Sequence, residues 1–168
     1  AEHAALVTEL ALTATAARPD ARVAVRVHPV DHPSFDADMA HIAGRAGHIL
    51  THIMVPKVET VADVDRAQAA LIAAGATDLP LHVLIESPAA VHRAFDIAAH
   101  PRVQSISFGL MDFVSAHGGA IPSEGMGATG QQGESRQVVL QTLGHLRQGV
   151  VAATARNRPK RHRLHITL

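Results

Sequence analysis

The sequence predicts an α/β fold: part of a (β/α)8 TIM barrel, with about four recognisable parallel strands and their intervening helices. Three observations predict it. Apolar positions alternate between short, continuous β-branched runs and stretches spaced at about 3.6 residues, the mark of strands alternating with helices in the order αβαβαβαβα. Strands joined by single helical crossovers run parallel, and buried parallel strands explain runs such as His82-Val83-Leu84-Ile85 that lack polar alternation. No G-x-G-x-x-G or G-x-x-x-x-G-K-[ST] motif directly closes any strand, the one G-x-G-x-x-G (Gly125 to Gly130) standing well past the last of them, so the barrel is favoured over a doubly wound nucleotide fold.

The elements follow in order. Glu2 to Ala17 reads as a helix with no strand before it. The strands are Arg22 to Val27, His48 to Val55, Leu79 to Ile85 and Val103 to Phe108. Between them lie Ala-rich helices at Phe35 to Ala46, Thr60 to Ala74 and Pro88 to Ala99. Thr60 with Asp63 three residues on resembles a capping box, and Gly75 stands where a helix commonly closes in the left-handed conformation. Ser87-Pro88 supplies an N-cap followed by proline at the first helical position.

The chain has 168 residues, whereas a closed barrel of this kind needs about 250. With Ala as the first residue, a fragment is expected. Apolar residues make up 47%, yet none of their runs approaches the roughly 20 residues of a membrane span, and no signal peptide pattern opens the chain. A soluble protein is expected, with no membrane partner and the cytoplasm as default compartment. The absence of Cys excludes disulfides, thiolate metal sites and a Cys nucleophile.

Net charge is zero but unevenly distributed. Residues 1–130 carry 8 Lys/Arg against 14 Asp/Glu, whereas 131–168 carry 7 against 1. Residues 1–130 are therefore read as the partial barrel and 131–168 as a divergent basic tail, helical in part. The tail has no aromatic residues to stack on bases, and Val138 to Leu146 is apolar, so no nucleic-acid partner is expected.

In a barrel, function gathers where strands end. Here those ends read Arg26-Val27-His28-Pro29, Pro56-Lys57-Val58-Glu59, Glu86-Ser87-Pro88 and Gly109-Leu110-Met111-Asp112, and every one carries a charged group. Ordinary caps and exposed loop charges could explain any one of them; four converging charges are costly unless they meet a ligand. Glu86 and Asp112 are read as ending two neighbouring strands. Two carboxylates about 4 Å apart repel by roughly 4 kcal/mol at an effective dielectric near 20, which calls for a cation or a shared proton. An all-oxygen ligand set favours Mg²⁺, with Mn²⁺ as the alternative, over Zn²⁺. Arg26 could bind a substrate carboxylate or stabilise a developing oxyanion. Of the 13 histidines, His28 and His117 lie beside the proposed rim. Most of the others, including the His48 and His52 pair, are read as structural.

The run Val25-Arg26-Val27-His28-Pro29, the motif Val55-Pro56-Lys57-Val58-Glu59, the segment Leu84-Ile85-Glu86-Ser87-Pro88 and the stretch Ser107 to Phe113 occur in the order found in one family. Over residues 20–125 the chain resembles the citrate lyase beta subunit-like proteins of the HpcH/HpaI aldolase family. The resemblance implies a Mg²⁺-dependent barrel that breaks or forms carbon-carbon bonds, commonly in citryl-, malyl- or citramalyl-CoA thioesters. It implies that Glu86 and Asp112 hold the metal, that Arg26 contacts substrate and serves catalysis, and that Glu86 also borders the substrate. Lys57, Glu59 and His28 are given supporting roles. A homo-oligomer is expected of the full-length protein.

There are departures. His28 stands where Asn is usual, and Ala90 where Gly is usual. The family's opening strand with its Pro-Gly turn, and the Leu-Glu-Asp-Ala type strand after it, have no counterpart. Residues 131–168 match poorly, through divergence or a shifted reading frame in a GC-rich gene. Two alternatives to a hydroxyacyl-CoA lyase therefore stand at this point. One is an inactive fragment of such an enzyme; the other is a pyruvate-class aldolase acting on hydroxy-keto acids without CoA.

Overall fold

The computed structural model describes residues 2–116. Four strands, β1 (Val23–Arg26), β2 (Leu50–Val55), β3 (Leu81–Ile85) and β4 (Val103–Phe108), form one sheet in the order β1-β2-β3-β4, every pair parallel. An order that follows the sequence without reversal is the wall of a β/α barrel; a doubly wound sheet changes direction at a switch point. The expected α/β partial barrel is therefore what the chain forms. Its strands are trimmed at their N-terminal ends by one to two residues relative to the apolar runs, and β1 also loses Val27 at its C-terminal end; β4 matches.

Lateral alignment explains the burial. Val25, Ile53 and Leu81 are register partners, and Leu81 pairs with Val103; all four side chains are buried. The next row, Arg26, Met54, His82 and Ser105, lies on the opposite face, since side chains alternate along a strand. On that face the buried His82 ring meets the Ser105 and Ser107 hydroxyls at 2.5 and 2.9 Å. Every residue of β3 is buried, which is why its run shows no polar alternation.

The helices are α1 (Glu2–Ala17), α2 (Phe35–Asp38), α3 (Gly44–Ala46), α4 (Val61–Ala73), α5 (Pro88–Ala99) and α6 (Leu110–Ala116). Where one helix is expected from Phe35 to Ala46, α2 and α3 are separated by a π-helical turn, Met39–Ala43. The segment Met-Ala-His-Ile-Ala holds neither Pro nor Gly, so the sequence carries no signal for the wider turn. The Thr8 hydroxyl of α1 donates to the carbonyls of Ala4 and His41, the second of which lies in that turn. Ala4, Thr8 and Ala11 form the buried stripe of α1, small enough for close packing on the turn and on β1.

Both predicted helix entries form. The Ser87 hydroxyl accepts the Ala90 N–H at 3.1 Å, with Pro88 opening α5. The Asp63 carboxylate accepts the N–H groups of Thr60 and Glu59 at 2.8 and 2.9 Å, fixing the turn between β2 and α4. Gly75 takes φ 75° after α4, the left-handed closure its position implies. Among the described residues no helix is long and apolar enough to cross a membrane. The basic tail from residue 131, its expected helix and His117 lie outside the described residues.

Candidate metal and substrate site

Three strand ends and one helix build the site. Glu86 follows β3 directly and is only 7% exposed. Its Oε2 accepts the backbone N–H of Lys57, past the end of β2, at 2.7 Å. To aim that N–H, Lys57 adopts φ 53°, a left-handed backbone that a residue with a Cβ enters at a cost of about 1 kcal/mol or more. Such strain, where the surrounding structure holds it, gathers at functional positions. Gly109 supplies the other side of the seat: a Cβ built there would lie 2.5 Å from both Cγ and Oε1 of Glu86. Only a residue without a side chain fits beside this carboxylate.

Asp112 is placed differently from the sequence reading. β4 ends at Phe108, and Asp112 stands four residues on, in the first turn of α6. Its carboxylate lies 3.8 Å from the Lys57 ammonium, with both side chains about half exposed. Burial pushes the Glu86 carboxyl above its ordinary pKa; the Lys57 N–H opposes the shift, the nearby Asp112 charge adds to it, and Lys57 and Arg26 pull it back. A site that raises the energy of its own carboxylate has room for a positive charge it does not itself supply.

Arg26, His28, Lys57, Glu86 and Asp112 line one cavity of about 440 Å³. Five of the six described residues singled out in the sequence thus converge. Glu59 does not line the cavity: its carboxylate accepts the Ser87 hydroxyl at 2.8 Å and ties the end of β2 to the entry of α5. It positions the neighbours of Glu86. Ala90, where Gly is usual, is fully buried in the core with its N–H on Ser87, so the added methyl is accommodated.

Sequence reasoning missed Asp38, His32 and His3, which share the cavity wall. Asp38 is 5% exposed, and its Oδ2 receives both the backbone N–H of His28 at 3.0 Å and the His28 ring nitrogen Nδ1 at 2.6 Å. His32 stacks on His28 with centroids 4.1 Å apart and planes 12° apart. Asp38 stands twelve residues past Arg26 inside an Ala-rich helical stretch, a placement that carries no signal in the sequence.

The donor set suits Mg²⁺. Glu86 and Asp112 offer hard carboxylate oxygens, and no group of three or more His, Cys, Asp or Glu residues is arranged for a metal among the described residues. Two protein carboxylates leave most positions of an octahedral ion to water and substrate oxygens, the usual arrangement for Mg²⁺ in enzymes. Lys57 competes with such an ion for Asp112. Lys57→Met, which keeps the backbone N–H and the apolar stem, is expected to tighten Mg²⁺ binding about twofold to fivefold at low salt and little at high salt, as for an exposed charge pair. Calorimetric titration at two ionic strengths checks this.

A parallel β/α wall that gathers a carboxylate pair, an arginine and a lysine at the C-terminal edge of its sheet is of the barrel class, in which that rim is where enzymes place their chemistry. The particular family follows from comparison with known proteins. The chain belongs to the HpcH/HpaI aldolase/citrate lyase family, whose model matches residues 2–153. An L-malyl-CoA/beta-methylmalyl-CoA lyase from Cereibacter sphaeroides is 35% identical over 113 residues, 64% of this chain and 35% of that protein. A citrate lyase from Burkholderia xenovorans superposes with a TM-score of 0.78 at 34% identity, over 90% of this chain and 48% of that one. The citrate lyase beta subunit from Mycobacterium tuberculosis, solved with oxaloacetate and magnesium, shares the fold at 19% identity, with a TM-score of 0.57 over 84% of this chain and 58% of that one. The chain spans about a third of the length of the curated relatives it matches. Those relatives are lyases, and magnesium is present in solved structures of the same fold.

Proposed function

We propose that the chain carries the Mg²⁺ site of a carbon-carbon lyase acting on a hydroxyacyl-CoA thioester of the malyl-, citramalyl- or citryl-CoA type. One observation carries the reading: Glu86 is seated between the Gly109 backbone and the Lys57 N–H, in one cavity with Asp112 and Arg26. Glu86 and Asp112 hold the metal. Mg²⁺ bound there supplies a Lewis acid for substrate oxygens and for charge developing on them.

The chain's own residues do the rest. The Lys57 N–H fixes Oε2 of Glu86 and so orients Oε1, which accepts no hydrogen bond among the described residues. Arg26 receives the substrate carboxylate through its planar guanidinium and holds the reacting bond in register. The sequence of relatives named for malyl-CoA and methylmalyl-CoA supports a thioester substrate.

The test is direct. The purified chain with Mg²⁺ is offered malyl-CoA, citramalyl-CoA and a CoA-free hydroxy-keto acid side by side. Cleavage of a thioester, lost to the detection limit in Asp112→Ala, is the expected result. Cleavage that survives the substitution overturns the site assignment. Turnover of the CoA-free acid alone transfers the chain to the pyruvate-class aldolases, and no turnover of any substrate supports the inactive-fragment reading.

A further inference from the structure

We propose that His28 is the group that moves the proton of the substrate hydroxyl, with Asp38 holding its imidazole in the tautomer this requires. The inference rests on the lyase reading above and assigns a proton path that the metal ligands and Arg26 leave open. Arg26 cannot serve, since a guanidinium does not give up its proton in a protein.

The geometry around His28 is that of an oriented base. Asp38 is 5% exposed, and its Oδ2 receives two donors from the same residue: the His28 backbone N–H at 3.0 Å and the ring Nδ1 at 2.6 Å. An ionised carboxylate only accepts hydrogen bonds, so Nδ1 carries a proton, and in the neutral ring Nε2 is the nitrogen with the free lone pair. His32 stacks against the ring at 4.1 Å and fixes its plane. The ring is thus held at one nitrogen and on one face. Nε2 meets no partner among the described residues, and His28 lines the cavity that Arg26, Glu86 and Asp112 also line. A carboxylate that orients an imidazole, which in turn faces the reacting atoms, is the arrangement that makes histidine an effective general base. With Asn at this position, the ring and its lone pair would be absent while the backbone N–H to Asp38 remained.

The step balances without a further reactant. Nε2 takes the hydroxyl proton, and the oxygen's electron pair forms a new carbonyl. The adjacent carbon-carbon bond breaks, and its electron pair passes to the α-carbon of the thioester, delocalised onto the thioester oxygen. The imidazolium then returns its proton to that carbon, giving an oxo acid and a shorter acyl-CoA. Because the ring must start unprotonated, kcat falls on the acid side as His28 takes up a proton. The groups that bear on this are Asp38 of α2 and His32 of the β1–α2 loop, which touch the ring. The other charged groups on the cavity wall are His3 of α1, Arg26, Lys57 and the Glu86–Asp112 pair.

The test compares the native chain with His28→Asn and Asp38→Asn, reading the kcat pH profile and the ¹⁵N NMR of the histidine rings. The native His28 is expected as the Nδ1–H tautomer. His28→Asn is expected to lower kcat about 100-fold, with KM little changed, and to remove the acid limb of the profile. Asp38→Asn is expected to lower kcat with loss of the Nδ1–H tautomer. An Nε2–H tautomer in the native chain, or a His28→Asn variant with native kcat and an unchanged acid limb, overturns the proposal. Failure of the lyase reading is seen separately, as a native chain that cleaves no thioester. The NMR then decides: an Nε2 resonance shifted by Mg²⁺ with L-malate sustains His28 as the group facing the hydroxyl, and an unshifted one overturns it.

Discussion

A single methyl group on Gly109 is expected to cost the protein most of its Mg²⁺ affinity. The Cβ of Gly109→Ala would lie 2.5 Å from Cγ and Oε1 of Glu86 and 2.9 Å from Cδ, distances that no packing tolerates. Gly109 cannot retreat, because its N–H bonds the Ile85 carbonyl at 3.0 Å and so ties the exit of β4 to the end of β3. The Glu86 carboxylate must move instead, away from the Lys57 N–H that orients it. Displacing a supporting contact of a metal ligand lowers metal affinity by about 10- to 100-fold. The overpacking itself destabilises by about 1–3 kcal/mol. Metal titration by calorimetry, beside a thermal melt, separates the two effects. Native Mg²⁺ affinity in a folded Gly109→Ala variant would show that Glu86 is not seated by this glycine.

Glu86→Gln is expected to act in opposite directions on stability and on binding. The neutral amide keeps an acceptor for the Lys57 N–H but removes the charge that burial and Asp112 disfavour. Mg²⁺ binding should be lost to the detection limit. The metal-free variant should melt a few degrees higher than the native chain at neutral pH, as when other strained functional groups are relaxed. The sign with pH is fixed by linkage. A carboxyl whose pKa is raised on folding contributes its full stability below its unfolded value, and that contribution is lost as pH rises through the folded one. The melting advantage of Glu86→Gln therefore appears above the ordinary glutamate range and disappears in acid. An advantage of equal size at all pH values would contradict the origin assigned to it.

Much of this was legible in the sequence because barrels write their chemistry at the ends of strands. The β-branched runs set the four strands, Ser87-Pro88 and Gly75 set helix ends, and the charges after each strand pointed to Arg26, His28, Lys57, Glu86 and Asp112. What stayed hidden depends on backbone conformation and on contacts distant in sequence. Asp112 looks like a strand-end residue, but a helix begins at Leu110 and takes Asp112 into its first turn. Lys57 was legible as a charge; its left-handed backbone and the N–H it aims at Glu86, 29 residues away, were not. Asp38 sits inside an Ala-rich helical pattern that gives no reason to single it out, and only the fold brings it to His28. Glu59, grouped with the site by its position, turns instead to Ser87.

The Mg²⁺ site is tested most directly by titrating the metal-free chain with Mg²⁺ in a calorimeter, native beside Asp112→Ala. The expected result is binding of one ion per native chain and no measurable binding in the variant, with both retaining the same fold by circular dichroism. Equal binding by the two proteins, or none by a folded native chain, would contradict the assignment of Glu86 and Asp112 as a metal pair.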